Sequence, residues 1–317
     1  MVNMKRILYT SLMVILVAAL ASCPAGSQKA LSLDEAKINY AHNSEIVSMI
    51  DSATEVMQFC ASEYGIKTEK NLLKFLPGSA TALTWELTAV SPMTLKPVTS
   101  LVFTNQDAAL AKKTALEKEG KEVFITTRNP LVIGNKLAPL LEAWVSWPYE
   151  RKIERVMQLI MYRFAVKTLK RKDADTLACF LAEKATEEFL RKKISPASPI
   201  LARYISEQRD ARTFESLFPD FVERIHNLYA HKDPSLDAEA ILKTREMLLN
   251  TWIANYRQNY TNRFLTNAYV QFGNPLPSDA ELAAFSFKYK NWKTYANLFT
   301  EAQENVSQML ILIKKTR

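Results

Sequence analysis

Glycine is scarce: 6 residues in a chain of 317. A Gly-rich phosphate-binding loop opening a nucleotide-binding fold is therefore not expected. Cysteine and histidine number only 3 each, and no CxxC pair or zinc-knuckle spacing occurs. His226 and His231 are five apart, a spacing that does not put both on one helix face, and His42 is distant from both. All three read as solvated or capping residues. The chain also lacks internal repeats and low-complexity tracts, and after the leader no apolar run is long enough to span a membrane. The formal charge is +8, but the basic residues are scattered, with short clusters such as "KTLKRK" and "RKK". No basic patch interleaves with aromatics, so nucleic acid is not an expected partner.

What is present begins with the leader, "MVNMKRILYTSLMVILVAALASC". Lys5 and Arg6 make a short positive region, and Ile7 to Ala19 an apolar stretch too short to span a membrane comfortably. The run ends in Leu20, Ala21, Ser22 and Cys23. "LASC" resembles the lipobox of bacterial lipoproteins. The resemblance implies removal of residues 1–22 and acylation of Cys23, which would tie the chain to membrane lipid at the bacterial cell envelope, facing periplasm or exterior. Residues 23–31 then read as lipid anchor and tether, and 32–317 as one domain. The other two cysteines, Cys60 and Cys179, could bridge, but each falls on an apolar helical face, which favours free thiols.

Periodicity predicts a long helix from Ser32 to about Tyr64, striped by Ile46, Met49, Ile50, Ala53, Met57 and Cys60. Strand-rich sequence follows in "TALTWELTAV" (81–90), "VTSLVFT" (98–104) and "EVFITT" (122–127). Between the last two, "NQDAALAKKTALEKEG" reads as a helix capped by Asn105 and closed by Gly120. From Pro148 the pattern is helical almost to the end, interrupted at 195–199, 231–235 and 273–279. The expected class is α+β and predominantly helical, with a small β-rich unit at about 78–128 ahead of a helical part at about 148–317.

Within that helical part, "LIMYRFAVK" and "TLACFLA" resemble the core of the zinc-dependent aminopeptidases of bacterial lipoprotein type, a family related to the HExxH metallopeptidases. Its signature is a "LIFHELAHQ"-like helix followed, about a dozen residues on, by a "FNESFA"-like segment. "MQFCASEYGI", "TALTWELTAVSPMTLKP", "ALAKKTALEKEGKEVFI", "VERIHNLYA" and "LTNAYV" resemble further family landmarks, in order. The resemblance implies a zincin-like helical part. In such a site two histidines four apart bind zinc, the glutamate between them serves as general base, and a carboxylate from the next helix completes the set. Carried over, the first histidine falls on Tyr162, the glutamate on Arg163, the second histidine on Val166 and the third ligand on Cys179. Valine cannot ligate, and an arginine cannot accept a proton. The apolar frame, Leu159, Ile160, Met161, Phe164, Ala165, Leu181 and Ala182, remains.

The expectation is an inactive aminopeptidase-like protein with no cofactor and no metal, in a binding or scaffolding role toward a peptide or protein partner. Two other readings stay open: an active metallo-aminopeptidase with a non-standard site, and a ligand-carrying lipoprotein with an apolar groove. Arg163 is either a carboxylate partner in a residual cleft or a surface arginine.

Overall fold

The computed structural model describes residues 29–69, 71–78, 84–133, 136–169, 171–230 and 237–315. The first helical stretch does not run unbroken from Ser32. Ser32 caps a short helix, α1 (Leu33–Asn39), in a capping box with Glu35. Asn43 then caps a second, α2 (Ser44–Tyr64), its side chain accepting from the backbones of Glu45 and Ile46. Two N-caps eleven residues apart stop the apolar periodicity from propagating as one rod. Gly65 ends α2 in the left-handed conformation, with φ of 62°. The predicted stripe holds: Ile46, Met49, Ile50, Ala53 and Cys60 are buried and Met57 is half-buried.

After α3 (Gln106–Lys118), the chain from Tyr149 is mainly helical: α4 (Tyr149–Thr168), α5 (Arg171–Lys193), α6 (Pro199–Ser216), α7 (Phe218–Ala230), α8 (Ala238–Gln258), α9 (Tyr260–Arg263), α10 (Asp279–Glu301) and α11 (Val306–Lys315). The class is α+β and predominantly helical, as expected. One core joins α2, α4, α5 and α11 through residues such as Val56, Ile160, Phe189 and Met309. A second is aromatic, built from Phe214, Phe218, Phe221, Tyr256, Tyr260 and Phe264.

The three predicted strands form one antiparallel sheet. β3 (Thr84–Val90) lies between β4 (Pro97–Phe103) and β5 (Glu122–Arg128), with Leu87 opposite both Leu101 and Ile125. Leu116 of α3 packs on Leu87 and Ala89, while Ala280 and Ala283 of α10 pack with Val90 and Phe124. Short strands lie outside the expected β-rich range. β1 (Leu31–Ser32) pairs with β2 (Lys74–Leu76), and β2 pairs in parallel with β8 (Leu140–Leu141); β6 (Val132–Ile133) and β7 (Lys136–Leu137) form a hairpin. Leu31, placed at the end of the tether, is thus tied into a ladder opposite Phe75. Among the described residues no helix is long and apolar enough to cross a membrane.

Candidate functional site

Helices α4 and α5 pack as an antiparallel pair around the frame read from sequence. Leu159, Ile160, Met161, Ala165, Leu181 and Ala182 are all buried, and Phe164 is half-buried. The reason is spacing: apolar residues at steps of three and four give α4 one face that only a core can cover. Tyr162 lies within that face at 3% exposure. Val166, one turn on, and Cys179 on α5 are half-buried and pack against the same apolar cluster. Arg163 is turned to solvent. The structure therefore gathers Tyr162, Val166 and Cys179 on one core and leaves Arg163 outside it, at the surface.

The donor set does not fit zinc. Tyr162 lies within the apolar cluster, Val166 offers no lone pair, and no group of three histidine, cysteine, aspartate or glutamate side chains among the described residues is placed to hold a metal ion. His42 is exposed and stacks on Tyr40, with ring centroids 6.4 Å apart, while His226 is exposed on α7. His231 lies outside the described residues. Cys60 and Cys179 are not bridged to each other. Cys60 sits 3.5 Å from the Met157 sulfur, and burial pushes its pKa up to about 12, so it stays a neutral core residue.

Sequence reasoning missed a belt of charge on the same helices. Glu150 and Glu183 are buried, in the charge-rich stretches "YERKIER" and "AEKATEE". Their partners come from α6: Arg203 Nε donates to Glu150 at 2.6 Å, and Arg212 donates to both Glu183 and Glu215. Arg151 bridges Glu154 at 3.0 Å and Glu207 at 2.6 Å. The Arg212 guanidinium also lies over the Trp292 ring, 3.4 Å from its centroid. The Arg151–Glu154 and Arg212–Glu215 pairs are local, each at i,i+3 spacing; the rest depends on α6 folding back. These pairs clamp α4, α5 and α6 together, although Glu150 Oε2 and Arg212 Nε are buried without a hydrogen-bond partner.

Glu154 carries the cost of this clamp. Burial, which outweighs the opposing pull of Arg151, raises its pKa above the ordinary 4.5. A carboxyl raised in the folded state contributes stability below its unfolded pKa and loses it as pH rises through the folded value. Glu154→Gln keeps an acceptor for Arg151 and removes that loss. The melting temperature of the variant relative to wild type should therefore rise between pH 4.5 and pH 7.5, and a falling difference would contradict the assignment.

Arg155, one turn after Arg151 on α4, is buried, and among the described residues no carboxylate is hydrogen-bonded to it. It donates to the carbonyls of Asn129 at 3.4 Å and of Pro130, and to Gln158 at 3.1 Å, and lies 4.9 Å from the Trp144 ring centroid. Burial lowers its pKa to about 10, and it stays charged at neutral pH. It fixes the segment after β5 against α4.

A family model described as Putative aminopeptidase matches residues 28–315, a span that takes in α4, α5 and both cores. No curated protein matches the chain. No solved structure matches it. On the extent of the family match, the chain belongs to the Putative aminopeptidase family.

Proposed function

We propose that this chain is a lipid-anchored envelope protein that retains an aminopeptidase-like frame without a peptidase centre and works by binding or scaffolding. The observation that carries this reading is the burial of Tyr162 at 3% exposure among apolar side chains, at the position where the resemblance puts the first zinc ligand. A hydrolytic zinc site needs an open coordination position and a base beside it. Here the base position holds Arg163, which is exposed and cannot accept a proton. The second ligand position holds Val166. Anchoring rests on "LASC": Cys23, outside the described residues, becomes the acylated N-terminus after loss of residues 1–22.

Two measurements test the reading. Protein purified without chelators should contain far less than one zinc per chain and release no amino acids from short peptides. Zinc-dependent release, abolished by chelator and restored by metal, would overturn it. Cells fed a clickable fatty acid should label the wild type and not Cys23→Ala. Equal labelling of the two, or a fully soluble wild type, would remove the anchor.

A further inference from the structure

A second site lies away from α4 and shares no residue with the Tyr162–Cys179 region. Between the β3–β4 turn, α7 and α10 is an open groove of about 820 Å³. Pro97, Pro219 and Val222 give it an apolar wall, and among the described lining residues Lys96 and Lys293 supply ammonium groups against one carboxylate, Glu223. Neither lysine forms an ion pair with a described residue. His226 lies on the same wall.

The groove reaches the start of a strand, β4, through Pro97. β4 is the terminal strand of its sheet, and among the described residues nothing pairs with its outer side. Edge strands are commonly guarded by charges, prolines or bulges. β4 has such guards only at its start, in Lys96, Pro97 and the register shift there; from Val98 to Phe103 it carries no charged residue and exposes Val98 at 52% and Val102 at 58%. Its regular pairing with β3 runs from Phe103 back to Thr99, then slips before Pro97. Pro97 has no N–H to donate, so a ladder along the outer edge also ends there, where the groove begins.

We propose that the β4 edge and this groove together bind the C-terminal end of an extended peptide by strand addition. A peptide antiparallel to β4 runs from Phe103 toward Pro97, so its last residue leaves the ladder at the groove mouth. Its carboxylate then meets Lys96 and Lys293, and its apolar side chains lie beside Val98 and Val102. A parallel peptide would bring an N-terminal ammonium to the same two lysines, which charge disfavours.

The full chain is titrated against an N-terminally fluorescein-labelled Thr-Val-Thr-Val-Ala peptide with a free carboxylate, read by anisotropy. Saturable binding is expected, weakened about tenfold or more by C-terminal amidation and to a similar degree by Lys96→Ala with Lys293→Ala. Because both lysines are at the surface, unchanged melting of that double variant should show that it folds. Hydrogen exchange should slow at the amides of β4 when the peptide is present. Absence of saturable binding, equal affinity for acid and amide, or unprotected β4 amides overturns the proposal. So does oleate displacing the peptide with the same lysine dependence, which would assign the groove to an anionic amphiphile.

Discussion

Asp279→Ala should destabilise the protein by about 3–5 kcal/mol, because it strips the partner from a buried cation. Asp279 is fully buried at the start of α10 and binds three neighbours. Its Oδ1 accepts from Arg245 Nε at 2.7 Å, its Oδ2 from the Tyr229 hydroxyl at 2.6 Å, and its backbone N–H donates to Glu122 at 2.9 Å. One residue thus joins β5, α7, α8 and α10. Burial, and then the bond to Asp279, push the Tyr229 hydroxyl well above its ordinary pKa, so it remains a donor at any pH the protein survives. Alanine leaves that hydroxyl without its carboxylate acceptor and the mostly buried Arg245 with the Pro277 carbonyl, 3.1 Å away, but no carboxylate hydrogen-bonded to it. At about 2 °C per kcal/mol for a chain of this size, the melting temperature should fall by about 6–10 °C. Asp279→Asn, which keeps one acceptor oxygen, should lose less. If both variants melt within about 1 °C of wild type, the carboxylate is not the joint described.

The parts of this fold visible in the sequence are those whose signals are local. β3, β4 and β5 are rich in threonine, valine and aromatic residues, and α3 is bracketed by a capping asparagine and a closing glycine, so their bounds come within a few residues of the structure. The break between α1 and α2 was also written locally, in Asn43, but the apolar stripe masked it. The two-residue strands were not legible at all. Leu31, Phe75 and Leu140 meet only because distant segments are brought to one edge, and two residues carry no period. The charge belt was illegible for the same reason: Glu150 meets Arg203 only because α6 folds back onto α4. At the candidate site the apolar frame was legible from spacing. The outward turn of Arg163 against the inward turn of Tyr162 is a matter of helix phase, which adjacent residues settle only once the partner helix is in place.

The position of Tyr162 separates a relict from a working centre by a substitution series. If the residue is core filling, its ring matters and its hydroxyl does not. Tyr162→Ala should then cost about 3–5 kcal/mol, the range for deleting a large buried ring where neighbours collapse only partly. Tyr162→Phe removes one oxygen and leaves the ring's place in the apolar cluster intact. It should change stability by about 1 kcal/mol or less. Neither effect should depend on zinc, since an ion with no preference for the folded state cannot shift the equilibrium. A metal ligand behaves in the opposite way: Tyr162→Phe would abolish a zinc-dependent rise in melting temperature while Tyr162→Ala merely repeated it with added destabilisation. Thermal melts of the three proteins with zinc and with chelator distinguish the cases. A zinc-dependent stabilisation of wild type that Tyr162→Phe removes would mean that the buried hydroxyl reaches a metal, and the inactive-frame reading would fall with it.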